Sequence, residues 1–201
     1  YRDEAEGTRV EIGDLNLSID GFDLSGQLFD LQQSATVKLD GQPPLDIRSE
    51  GQLGFSLQEQ HLTLKALELS LLANKTPLVM DLSGEVALET LAAQLQLVLE
   101  PVNLAKWLTQ FGIELPEMAA ADALSKVSLN SAIAGADGAW KLQNLVFKMD
   151  DTTFSGNAGM AKDGALELVL KGDTLNLDRY LPVPVEDVAQ AKVAQQPAPA
   201  G

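Results

Sequence analysis

Cysteine is absent from the 201 residues. That excludes a disulfide framework, a thiolate zinc site and a thiol nucleophile. Histidine occurs once, as His61, so a His-rich metal site or an ordinary catalytic triad would have to be built around that single residue. Positive charge is also scarce. Lys and Arg number 14 against 29 Asp and Glu, a formal charge of -15. Such a chain is repelled by phosphate backbones and anionic headgroups, which argues against nucleic acid binding and against electrostatic docking on a membrane. Long apolar runs are missing too. The longest, Met118-Ala119-Ala120-Ala121, falls far short of the ~20 residues of a spanning helix. The first residue is Tyr1 and no signal-peptide pattern follows it, so a processed chain or an excised piece is expected. P-loop, G-x-G-x-x-G, H-E-x-x-H and G-x-S-x-G patterns are all lacking. No catalytic constellation, metal site or cofactor is expected, and the chain reads as a non-enzyme.

What is abundant is leucine, and roughly 200 residues can bury about 70% of the unfolded surface, enough for a real core. The pattern is period two. Leu91, Ala93, Leu95, Leu97 and Leu99 share one parity, with Gln94 and Gln96 on the other. Met80, Leu82, Val86 and Leu88 alternate with Asp81, Ser83 and Glu85, and Val127, Leu129 and Ile133 alternate with Ser128 and Asn130. Alternation places apolar side chains on one face and polar ones on the other, the pattern of antiparallel strands with one wet face. Leu has modest strand propensity, but helical spacing fails over these windows, so periodicity decides. Turn chemistry separates the runs at Asp40-Gly41, Asn74-Lys75, Asp137-Gly138 and Asp163-Gly164. Strands are expected at about 8–19, 22–40, 44–57, 60–73, 77–89, 91–99, 126–135, 139–150, 152–162 and 164–174.

Short helices interrupt this pattern. Leu104, Trp107, Leu108 and Phe111 lie on one helical face, with Asn103 as N-cap and Gly112 as the stop. Leu177, Tyr180 and Leu181 repeat that spacing before Pro182. A third short helix is expected within 116–125, where Asp122 would cap a turn. Residues 183–201 are an Ala/Pro/Gln stretch without large apolar side chains, expected to be a linker or tail, and residues 1–9 are expected to be a loose end. The domain is therefore 10–182.

The two helices share N-L-x-[KR]-[WY]-L and start 73 residues apart, at Asn103 and Asn176. Upstream of each, apolar parity flips once, between Leu64 and Leu67 and between Leu142 and Leu145. A similar flip lies between Ile19 and Phe22. One extra residue moves every later side chain to the other face, so a flip inside a strand calls for a bulge or kink. Ser83-Gly84 and Ser155-Gly156 then hold matching places. These features describe two degenerate copies of a strand-strand-strand-helix unit.

The same residues carry a family resemblance. P-V-N-L-A-K-W-L, A-D-A-L-S-K-V-S-L, L-V-F-K-M-D-D-T-T-F-S-G and D-T-L-N-L-D-R-Y-L-P resemble the core of AsmA-family proteins, and D-L-N-L-S-I-D-G-F-D-L is similar to the segment before that core. The resemblance covers roughly 10–182 and is most specific over 100–182. It implies a periplasmic module of a Gram-negative bacterium, anchored in the inner membrane by an N-terminal helix outside this chain. It further implies a role in envelope lipid homeostasis and outer membrane biogenesis, with a phospholipid or other acyl-chain lipid as partner and possible contacts to envelope proteins.

Apolar strand face exceeds the cover that three short helices can provide. Either the sheet folds on itself into a dry sandwich, which composition slightly favours, or it curls into a trough with an accessible apolar floor. The resemblance favours the trough: a mostly β fold, a long curved antiparallel meander with two or three short helices. Its expected floor is Leu67, Leu69, Leu71, Leu95, Leu97, Leu99, Leu129, Ile133, Leu145, Phe147, Leu166, Leu168 and Leu170. Lys106 and Arg179 recur at equivalent helical places and are candidates for a lipid headgroup, against the plainer reading of solvated charges near helix ends. Trp107 and Tyr180 read as anchors of helix to sheet. Asp150-Asp151 reads as a hairpin start rather than a cation site, and His61 as a strand-edge histidine. The rival function is a protein-interaction scaffold that works through sheet edges and influences outer-membrane protein assembly.

Overall fold

A computed structural model describes residues 10–182. The expected loose end at 1–9 and tail at 183–201 lie outside the described residues. Ten strands form one sheet in sequence order, each antiparallel to the next. They are β1 (Val10–Asp20), β2 (Ser25–Leu39), β3 (Leu45–Ser56), β4 (His61–Ala73), β5 (Thr76–Ala87), β6 (Ala92–Val102), β7 (Val127–Ala136), β8 (Ala139–Met149), β9 (Thr152–Met160) and β10 (Leu166–Gly172). The sheet is open, with β1 and β10 as its edges. It does not fold back on itself: beyond sheet neighbours, the principal element contacts are α1 with β5 and β2 with β4. The sandwich alternative is thereby set aside.

Two expected helices form and the third does not. Helix α1 spans Leu104–Gln110, and its Asn103 cap accepts the Lys106 N–H at 2.9 Å. The second is a single 3-10 turn, Leu177–Arg179. Residues 116–125 contain only turns, closed by bonds such as Ser125 N–H to Asp122 C=O at 3.2 Å. The backbone donors there bond to distant acceptors, Ala119 N–H to Leu181 C=O and Leu124 N–H to the Asp150 carboxylate, both at 2.9 Å, so no helical ladder propagates.

The register assigns the faces, because directly opposed residues of neighbouring strands point the same way. One transverse line runs Leu69, Met80, Leu99, Leu129, Phe147 and Phe154. A second runs Leu64, Gly84, Leu95, Ile133, Leu142, Ala158 and Leu168. The reverse side carries lines such as Glu85, Gln94, Ala134, Lys141, Gly159 and Glu167. One side is thus predominantly apolar, interrupted by Gln33, Ser49 and Ser131, and the other is polar and knitted by bonds such as Gln96 Nε2 to Asn130 Oδ1 at 2.6 Å.

The continuity depends on bulges. Both strand-interior flips are register shifts, at Leu64/Leu67 in β4 and Leu142/Leu145 in β8. In each, one residue enters the left-handed region, Ala66 with φ 49° and Asn144 with φ 52°. The N–H freed by the shift is taken up by the next strand, Ala66 N–H by Ser83 Oγ at 3.1 Å and Asn144 N–H by Asn157 Oδ1 at 3.2 Å. On the preceding strand the bulges face Gly51 and Ser131. Gly84 and Gly156 also correspond: a Cβ at either would collide with the next strand, at Gln94 C=O and Val169 C=O. The repeat is therefore physical, and it includes one more strand per copy than the sequence pattern indicates, β3–β6 with α1 and β7–β10 with the 3-10 turn. The flip between Ile19 and Phe22 is not a bulge, because β1 ends at Asp20 and the chain turns at Gly21 (φ 76°). The β1 shift lies instead between Gly13 and Asn16.

Candidate functional site

All thirteen expected floor residues stand on the apolar side. Leu69, Leu99, Leu129 and Phe147 share one line, and Leu95, Ile133 and Leu168 another. Leu67 and Leu97 both lie opposite Leu82 across β5, and Leu145 and Leu170 both lie opposite Gly156 across β9. Leu71 faces Leu78 and Leu166 faces Met160. The pattern reading omitted further members, including Ile47, Leu53, Leu64, Met80, Leu82, Leu142 opposite Ile133, and Phe154. Alternation in β3 and β9 is diluted by Ser49, Gly51 and Gly156, which hid those strands' contribution.

Across ten strands at about 4.8 Å spacing, this side measures on the order of 40 Å by several residues of strand length, hence on the order of a thousand Å². Patches beyond a few hundred Å² on a soluble surface mark a binding site. Side chains of the inner strands shield one another and are half-buried, while the flanks are bare: Leu166 is 76% and Leu168 66% exposed on β10, and Leu17 62% on β1.

One end is closed. There the turns before β3, β5 and β9 meet α1, the 113–126 connection and the 173–182 segment. Leu104 N–H bonds Leu124 C=O at 2.9 Å, Ala119 N–H bonds Leu181 C=O at 2.9 Å, and Ala120 N–H bonds Arg179 C=O at 3.1 Å. Ala73, Val102, Ala123, Val127 and Thr152 are buried beneath or beside this cap. At its centre is Asp150. Its carboxylate accepts the Leu124 N–H at 2.9 Å, the Lys126 N–H at 3.1 Å and the Tyr180 hydroxyl at 2.9 Å. Partial burial pushes its pKa up, but the hydrogen bonds from Leu124, Tyr180, Lys126 and Ser125 outweigh that and leave it lowered. Tyr180 is raised by burial and by donating to Asp150. Tyr180 therefore anchors the 3-10 turn to the β8–β9 hairpin, and Trp107 packs on Phe111 with ring centroids 4.7 Å apart.

The two headgroup candidates are not alike. Arg179 is paired with Asp122 at 3.0 Å and lies 4.0 Å from Asp151. Its pKa is raised by the hydrogen bond to Asp122 and by the charges of Asp122, Asp150 and Asp151, so its guanidinium is already engaged by carboxylates. Lys106 is exposed on α1. His61 Nε2 lies 3.5 Å from Glu85 Oε2 on the polar side, at the end away from the cap. A surface depression of about 800 Å³ is also on the polar side, lined by Asp20, Asp30, Glu50, Gln52, Lys65, Glu68 and Asp81 among others. No group of three or more His, Cys, Asp or Glu suited to a metal ion occurs among the described residues. No helix there is long and apolar enough to cross a membrane.

Comparison with family models, with curated proteins and with solved structures gave no match.

Proposed function

We propose that this chain is a lipid-binding or lipid-transfer module whose ligand lies along the apolar side of the sheet. The observation that carries this reading is the imbalance of cover: apolar side chains occur on this side from β1 to β10, and among the described residues a second layer lies only at one end. Acyl chains suit such a surface, since each CH₂ removed from water contributes about 0.8 kcal/mol without any directional contact. Selectivity among lipids is then weak. The polar headgroup stays in water at the uncapped end or along an edge, and Arg179, held by its aspartates, takes no part. The resemblance to AsmA-family proteins supports the same reading and adds the proposal of a periplasmic location and a role in the bacterial envelope.

The experiment is solvent extraction and native mass spectrometry of the purified protein, alongside Leu97→Arg. Leu97 stands mid-floor between Leu82 and Ser131. The wild-type protein yields phospholipid, and the variant yields several-fold less while its circular dichroism stays strand-like. A folded Leu97→Arg protein with undiminished lipid contradicts the reading.

A further inference from the structure

Among the described residues, strand β10 has no neighbour on its outer side. Edge strands are normally blunted by bulges, prolines or inward charges. β1 has such a device, the shift between Gly13 and Asn16 with Asp14 at φ 49°. β10 does not. It reads L-E-L-V-L-K-G, pairs with β9 without a shift, and is exposed at every residue. Its backbone orientation is readable from the ends. Ala165 C=O accepts the Ala161 N–H at 2.8 Å and Asp173 N–H donates to Thr153 C=O at 3.2 Å, so these residues turn toward β9. By alternation, Leu166, Leu168, Leu170 and Gly172 turn their N–H and C=O groups outward.

We infer that β10 pairs with β10 of a second copy of this chain, antiparallel about a two-fold axis at Val169. Placed against its own reverse on that centre, the strand sets Glu167 opposite Lys171 on the polar side, once on each side of the axis. Leu168 falls opposite Leu170 on the apolar side, and Leu166 opposite Gly172. The hydrogen-bonded pairs are then formed by the outward residues, and Val169 meets its counterpart as a non-hydrogen-bonded pair. Moving the centre to Leu168 loses the opposite charges. Moving it to Leu170 places Glu167 against Asp173. The two-fold axis stands normal to the sheet, so both apolar sides face the same way and become one surface. The contact is isologous and closes at two copies. It does not depend on what the floor binds.

Two tests follow from the register. The chain has no cysteine, so Val169→Cys introduces the only one. Non-hydrogen-bonded partners lie about 4.5 Å apart at Cα, within disulfide reach, whereas Leu168 and its own counterpart are separated by two steps of strand. Under mild oxidation Val169→Cys gives most of the protein as a cross-linked dimer, and Leu168→Cys gives little. Separately, light scattering over a concentration series gives a mass approaching twice 21.5 kDa. Lys171→Glu lowers it toward the monomer, and Glu167→Lys with Lys171→Glu restores it. A wild-type monomer at every concentration overturns the inference. So does an open-ended ladder of higher species, which would mean β10 meeting β1, equal cross-linking at 168 and 169, or a dimer indifferent to the charge swap.

Discussion

At the capped end, Val102 and Val127 are 4% and 2% exposed beneath or beside α1, the 113–126 connection and the 173–182 segment. Along the flanks of the same apolar side, Leu17 and Leu166 are 62% and 76% exposed. Both regions are built from alternating strands of the same chemistry. They differ in what lies over them, and only a few short segments make the difference. The cap supplies the packed core that gives one end a unique arrangement. The floor is held in place by hydrogen bonding between strands and by neighbouring side chains, and it offers its apolar surface outward.

Substituting the same charge in both regions tests this contrast most severely. Val127→Asp places an unpaired carboxylate under the cap and should cost about 4 kcal/mol, whereas Leu17→Asp on the bare flank should stay within about 0.5 kcal/mol. Urea denaturation measures both, and comparable losses would mean that the two regions are not distinct. Next in size is Gly84→Ala. Its Cβ meets Gln94 C=O, and its φ of 137° disfavours an L side chain, so a loss of about 2 kcal/mol or more is expected. Gly156→Ala, blocked by Val169 C=O, should match it if the two copies are physically equivalent.

Asp150→Ala leaves the Leu124 and Lys126 N–H groups and the Tyr180 hydroxyl without their shared acceptor. A loss of about 2 kcal/mol is expected, seen as a drop in Tm of about 4–8 °C for a domain of this size. The smallest effect is its pH dependence. A carboxylate whose folded pKa is depressed contributes stability that is fully present above its unfolded value, about 3.9, and is lost as pH falls through the lower folded value. The gap between wild type and Asp150→Ala should thus be constant near neutrality and narrow below about pH 4. A gap that widens on acidification would contradict the assignment.

Much of the floor was legible because period two is a local property. Each run from Leu67 to Leu71 or from Leu166 to Leu170 declares its own parity, and a single flip, Leu64 to Leu67, declares a bulge without knowledge of the partner strand. The β1 bulge also leaves a parity change, between Ile12 and Leu17, whereas the flip from Ile19 to Phe22 marks a turn at Gly21 and not a bulge. The cap was not legible. Asp150 read as a hairpin residue because its partners lie 26 and 30 residues away, at Leu124 and Tyr180, and no spacing rule links them. The expected helix at 116–125 failed for a related reason: besides short turn bonds within the segment, its backbone donors reach the 173–182 segment and Asp150, as at Ala119, Ala120 and Leu124. The openness of the sheet was likewise beyond composition, which favoured a closed sandwich.

The contrast between capped end and floor is tested most directly by photo-crosslinking from adjacent positions. Benzophenone side chains placed at 97 and at 98 sit on the same strand but on opposite sides of the sheet, since Leu97 lies across from Leu82 and Val98 across from Asp81. Illumination of protein expressed in a Gram-negative host should give a lipid adduct from position 97 and none from position 98. Equal labelling at both positions, or no lipid at 97 in a folded protein, would contradict the account.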